Sequence, residues 1–334
     1  MELETKIEGV ATKKVAKRTK IDEKNSTISQ AHVWKGEFFE GFNDFQIYVR
    51  TWDDVENARG VVLLLHGMVE HGGRYDNFAQ FLNSRGYIVV APDHRGHGKT
   101  AGAPENVTKY DGDIFADTVR DCIKLADVSI HKYKLPLFVI GHSYGSFLTQ
   151  SFIQNYHQHR GVVLVGSSCM AGSGEVAMGK MVACLTRKFK GKDAPAKMIH
   201  KMSLGKYGKG FERGNWLTQD EKIFNEYRLD PYCGAVASVQ FYHSFFSNLK
   251  KIYKTKMLNR IEKHTPILIT SGEFDPVGGK NHKGVDKLAP LYQKYGLSNV
   301  EYKLWENGRH EILNEIFRND VYNYIADFLD KINN

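Results

Sequence analysis

The sequence predicts an α/β fold: a mostly parallel sheet flanked by helices, with an inserted helical cap. Three observations carry this. Short continuous apolar runs alternate with helix-periodic segments, the signature of parallel strands buried on both faces. One interval of about 95 residues breaks that rhythm with helical patterning alone, too long for a single crossover. The 334 residues, 42% hydrophobic and 25% charged, have ordinary globular composition and suffice for one large domain with an insertion.

In chain order, residues 1–32 carry Lys13, Lys14, Lys17, Arg18, Lys20 and Lys24 with few apolar residues, which predicts a basic, disordered tail. Segments 34–40 and 45–52 alternate around the turn 41–44 and read as a β-hairpin. Buried strands follow at "GVVLLLHG" (60–67), "YIVVAPD" (87–93), "LPLFVIGHS" (135–143), "GVVLVGSS" (161–168) and "PILITSGEFD" (266–275), with a mixed strand at "VEYKLWE" (300–306). Between them, helical spacing recurs at Tyr75, Phe78, Ala79 and Leu82, at Ile114, Phe115, Val119 and Cys122, and in a closing helix from Ile316 to Leu329. The predicted organisation is a core of residues 33–168 and 265–334 with the cap at 169–264. Ligand chemistry in such a sheet belongs at the carboxyl ends of its strands.

Several function classes are excluded. No run of about 18 apolar residues exists and the first thirty positions are charged, so neither a transmembrane helix nor a secretory leader is expected. The expected location is cytoplasmic, with access to the periphery of membranes. The scattered Cys122, Cys169, Cys184 and Cys233 form no C-x-x-C pair and read as free thiols. His310-Glu311 does not complete H-E-x-x-H, so no metal is expected, and Asp93 occupies the position where a phosphate loop ending in Gly98-Lys99-Thr100 needs glycine. No cofactor is required, and nothing beyond charge supports nucleic-acid binding.

The stretch "IGHSYGSF" (140–147) places Ser143 between a strand and a helix with glycine two residues to each side. A turn tight enough to project a nucleophile needs such small neighbours, and the following helix N-terminus favours developing negative charge. A serine hydroxyl needs a base, and the base a carboxylate. Asp275 at the end of its strand and His310 in the loop before the last helix stand where this architecture needs them, with Glu273 as an alternative acid. The N–H groups of Met68 and Tyr144 are the candidate oxyanion donors. Glu70, His71 and Arg74 follow the oxyanion turn and are read equally as scaffold or substrate contacts. Asp93, Arg95 and His97 are read as turn-forming, and His282 as a surface residue.

With "HGMVEHGGRY" (66–75), "APDHRGHGKT" (91–100), "GHSYGSF" (141–147), "SGEFDPVGG" (271–279) and "NGRHEILNE" (307–315) in order, the chain resembles the monoacylglycerol lipase and lysophospholipase-like branch of the α/β-hydrolase superfamily, also described as serine aminopeptidase S33-like. The resemblance runs from about residue 33 to the end. It implies a triad of Ser143, Asp275 and His310, an oxyanion hole at Met68 and Tyr144, and a small-molecule acyl ester as substrate. Tyr144 departs from the pattern, since many relatives carry methionine there.

Between Glu175 and Arg260 stand 17 Lys plus Arg against 7 Asp plus Glu, and five of the eight methionines fall between Met170 and Met202. Such composition suits an apolar acyl pocket and transient contact with an anionic membrane surface; it equally suits a packed core under a solvated basic face. An S33-type peptidase or an acyltransferase would use the same triad. A catalytically silent binding protein would be expected to have lost part of it. Oligomeric state is not encoded in any of these patterns.

Overall fold

The computed structural model describes residues 34–334; the segment predicted as a tail lies outside the described residues. The predicted hairpin is β1 (Lys35–Glu40) and β2 (Gln46–Trp52). The five apolar runs and the mixed strand become β3 (Gly60–Leu65), β4 (Tyr87–Pro92), β5 (Leu137–His142), β6 (Gly161–Val165), β7 (Ile267–Gly272) and β8 (Val300–Trp305). All eight form one sheet in the order β1-β2-β4-β3-β5-β6-β7-β8. The β1/β2 and β2/β4 pairs are antiparallel and every other pair is parallel.

Helices α1 (Asp76–Ser84), α2 (Ile114–Tyr133) and α3 (Tyr144–Phe152) follow β3, β4 and β5 in turn. Between β6 and β7 the chain forms six helices and no named strand: α4 (Gly174–Lys190), α5 (Lys197–Met202), α6 (Leu204–Tyr207), α7 (Glu221–Leu229), α8 (Val239–Ile252) and α9 (Thr255–Leu258). Helix α10 (Leu288–Lys294) joins β7 to β8, and α11 (Arg318–Asn333) closes the chain.

Strand alternation explains why both faces are covered. Val61, Leu63 and Leu65 point into a core shared with α2, α3, α8 and α10, whereas Val62 and Leu64 point into a second core under α1 and α11. All five are fully buried, so β3 reads as an unbroken apolar run. Two helix boundaries differ from the sequence reading. Helix α3, which the sequence pattern extends from Tyr144 to about His157, ends at Phe152, after which Tyr156 packs on the Phe152 ring and donates to Asp127. Helix α11 starts only at Arg318, leaving Ile316 exposed. No helix of the described residues is long and apolar enough to cross a membrane.

Candidate active site

Ser143 sits between β5 and α3 with φ 52° and ψ −116°, a left-handed conformation that costs a non-glycine residue energy and persists only where its surroundings hold it. The Ser143 N–H donates to the Val165 carbonyl at 2.9 Å, and Ser146 Oγ donates to the Ser143 carbonyl at 2.6 Å. The flanking glycines are obligatory for a measurable reason. A Cβ on Gly145 would collide with the Leu65 carbonyl, and one on Gly141 with the Gly145 carbonyl.

The structure brings the three separated candidates together. His310 Nε2 lies 2.8 Å from Ser143 Oγ, and His310 Nδ1 lies 2.8 Å from Asp275 Oδ1. Asp275 also accepts from the Val277 N–H at 2.8 Å and from Ser271 Oγ at 3.0 Å. Burial pushes the Asp275 carboxyl up, but the neighbouring imidazole and these hydrogen bonds outweigh it and hold the group below the usual carboxylate range. The Trp216 ring lies against the His310 ring with centroids 5.0 Å apart, and its carbonyl accepts the His310 N–H at 3.3 Å. Glu273, the alternative acid, instead accepts the Asn307 N–H at 3.0 Å.

The turn carrying Met68 is strained too, with φ 54° at the β-branched Val69. Glu70 braces it by accepting the Gly67 N–H, and the Val69 carbonyl accepts from Gly234 of the insertion at 3.0 Å. Among the described hydrogen bonds, neither the Met68 nor the Tyr144 N–H has a protein acceptor. Behind the turn, the His66 and His94 rings stack at 3.8 Å, and the His94 N–H donates to His66 Nε2 at 3.0 Å. His66 Nδ1 therefore carries the hydrogen that reaches the Gly67 carbonyl at 2.8 Å. Burial drives His94 down to about 3 and His97 to about 4, so all three rings are neutral near pH 7.

Glu70, His71 and Arg74 are held by the protein itself. Arg74 pairs with Glu70 and makes a bidentate bridge to Glu311 at 2.8 and 2.7 Å, while the Tyr75 hydroxyl donates to Glu70 at 2.7 Å. His71 accepts from the Gly73 N–H through Nδ1, so Nε2 carries the hydrogen and donates to Asp230 at 2.8 Å. Asp93 likewise serves its turn, accepting from Arg50 and from the Gly72 and Lys99 N–H groups. Two residues of this network escaped sequence reasoning, Glu311 and His142. His142 contacts the His310 ring at a centroid distance of 4.8 Å and the His310 carbonyl at 3.3 Å, which a carbonyl permits only if Nε2 carries a hydrogen. Burial lowers its pKa, but Glu70 beside it more than offsets that, leaving His142 above the ordinary histidine value.

Two cavities meet at Ser143. One, of about 330 Å³, is walled by Tyr144, Phe147, Val176, Val182, Phe245 and Leu249. The other, of about 210 Å³, is lined by Glu70, His142, His310, Glu311 and Trp216 and holds no lysine or arginine among its lining residues. The Tyr144 ring turns away into the core between His97 and Phe241, at 5.9 and 5.0 Å, so its bulk narrows the larger cavity less than its size suggests. A wider surface opening of about 1130 Å³ borders Asp275 from outside and is lined by neither Ser143 nor His310.

Residues 56–316 match the family described as "Serine aminopeptidase, S33". The chain is 27% identical over 299 residues to a monoacylglycerol lipase of Mycolicibacterium smegmatis, covering 87% of this chain and 96% of that protein. It is 26% identical over 286 residues to the phospholipase YtpA of Bacillus subtilis, covering 84% and 98% respectively. The crystal structure of a thermostable carboxyl esterase from Bacillus coagulans, in complex with glycerol, superposes with a TM-score of 0.80 at 24% identity over 90% of this chain and 99% of that one, a likeness of fold.

Proposed function

This chain belongs to the serine aminopeptidase S33 family of α/β-hydrolases, and from that premise we propose that it cleaves carboxylic esters of lipid-like acyl chains through an acyl-enzyme on Ser143. It is a carboxylic ester hydrolase, as its relatives' names have it. The observation that carries the mechanism is the unbroken relay from Ser143 Oγ through His310 to Asp275, both links 2.8 Å.

His310 Nε2 takes the serine proton as Oγ attacks the ester carbonyl, and Asp275 stabilises the imidazolium by accepting from Nδ1. The oxyanion forms against the free N–H groups of Met68 and Tyr144, at the N-terminus of α3. His310 then hands the proton to the departing alcohol, and water repeats the cycle on the acyl-enzyme. Glu70, His71 and Arg74 are positioning residues here: they fix the Met68 turn and tie it to the insertion.

Cavity chemistry narrows the substrate. The larger cavity, lined mostly by aromatic and aliphatic side chains with Glu175 and Lys206 among them, suits the acyl chain. His310, the proton donor to the leaving group, lines the smaller one and not the larger, which supports the alcohol lying on that side. Arg74, the cation nearest its two carboxylates, is consumed by Glu70 and Glu311, so a phosphate would find no partner there and an uncharged alcohol is favoured. For the same reason those carboxylates offer no free charge to a peptide amino terminus. We further infer that the insertion, as a cap, docks transiently on anionic membranes, because Met178, Met181, Leu185, Phe189, Met198 and Met202 stand exposed among its lysines.

The test is hydrolysis of p-nitrophenyl esters from acetate to palmitate, with Ser143→Ala as control. Turnover that peaks beyond short chains and vanishes in the variant is expected. Turnover independent of Ser143 overturns the mechanism.

A further inference from the structure

Cleavage requires the alcohol to sit beside His310, yet the core side chains around it have little left to offer a ligand. Glu70 and Glu311 are committed to Arg74, to Tyr75 and to Asn314, and His142 to Tyr75 and the His310 carbonyl. The remaining imidazole on this cavity comes from α5: His200 lines it together with Leu204 and Trp216. Its Nδ1 is buried without a hydrogen-bond partner, and its Nε2 makes no described hydrogen bond either. Burial holds the ring below the ordinary histidine value, so it is neutral near pH 7 and able to accept or to donate according to tautomer.

An imidazole without a described partner, on a cavity whose carboxylates and other two histidines are already paired, is useful to a ligand that brings its own hydroxyl. A site built to hydrogen-bond a substrate hydroxyl discriminates against the analogue lacking it, because the protein group is then left unpaired. We propose that His200 is the specificity-determining residue on the alcohol side, its imidazole hydrogen-bonding a free hydroxyl of the departing alcohol so that polyol esters are preferred to simple alkyl esters. This rests on the serine-esterase reading, and it places selection for the alcohol on the insertion rather than on the core that carries the chemistry.

The experiment compares the glyceryl monoester and the methyl ester of one acyl chain, lauric acid, in the wild type, His200→Leu and His200→Gln. Both esters yield the same acyl-enzyme, so the ratio of their kcat/KM values isolates the alcohol. The expected result is a fall in that ratio of about 2- to 12-fold in His200→Leu, the scale of one neutral hydrogen bond, with partial recovery in His200→Gln. An unchanged ratio in His200→Leu, with both esters slowed alike, overturns the proposal and makes His200 a packing residue. So does a ratio in His200→Gln no better than in His200→Leu. Failure of the serine-esterase reading is seen separately, as wild-type turnover of both esters that survives Ser143→Ala.

Discussion

Lowering the pH from 7 to 5 should weaken the fold through the histidines behind the Met68 turn. His97 titrates near 4 in the folded protein, chiefly because burial penalises its charged form, against about 6.5 in an unfolded chain. Its folded pKa is the lower one, so the unfolded state binds the proton first. The stability it contributes is therefore complete above about pH 6.5 and is lost as pH falls toward 4. At pH 5 the unfolded ring is almost wholly protonated and the folded ring is about one-tenth protonated, which by linkage removes about 2 kcal/mol between pH 7 and 5. His94, near 3, loses a similar amount over the same window. His142 has the opposite sign, since its raised pKa makes its contribution complete below the unfolded value and lost as pH rises. Because His97 is not among the groups that shift His142, the His142 contribution cancels when His97→Phe is compared with the wild type, and phenylalanine keeps a ring against Tyr144 and cannot titrate. Urea unfolding followed by tryptophan fluorescence at both pH values measures the difference. The variant should lose about 2 kcal/mol less than the wild type on acidification. Equal losses in the two proteins would refute the assignment of His97 as a buried neutral ring.

Asp275→Asn should leave the fold intact and lower kcat by about 10⁴-fold on any ester, since the amide holds the wrong imidazole tautomer; a loss under tenfold would remove Asp275 from the relay. Arg74→Ala leaves Glu70 and Glu311 buried without the guanidinium between them, at a cost of about 3–5 kcal/mol and a melting temperature lower by roughly 4–7 °C. A shift within about 2 °C by calorimetry would show that the pair is not held charged. Vesicles rich in phosphatidylserine should retain the protein at low salt, release it at high salt and bind Phe189→Asp more weakly. No retention of the wild type at low salt would end the membrane reading.

Much of this was legible in the residues because one signal served two purposes. The alternation that buries Val61, Leu63 and Leu65 on one face and Val62 and Leu64 on the other fixes β3 as a central strand, and central parallel strands deliver their carboxyl ends to one edge. Ser143, Asp275 and His310 each stand just beyond such an end or in a loop between the last strand and helix, so their order along the chain indicated their meeting in space. Helix ends were less legible. Ile316 continues the apolar period of α11 without belonging to it, since periodicity reports a pattern and not the point where tertiary contacts stop enforcing it.

Glu70 and Arg74 were legible as candidates, but their pairing with each other and with Glu311 was not, for a different reason. Arg74 and Glu311 lie 237 residues apart, and nothing local distinguishes a glutamate that will be buried against an arginine from one that faces water. Hydrophobic periodicity marks positions that leave water for their own sake; a buried ion pair leaves water only because its partner does, and that condition is written in no single segment. The strained Met68 turn is braced by Glu70, Glu70 is neutralised by Arg74, and Arg74 is shared with Glu311 next to His310. One guanidinium thus joins the proposed oxyanion donor to the loop of the proposed base. A defect at Arg74 should consequently damage both at once, lowering kcat/KM in step with stability rather than shifting substrate preference.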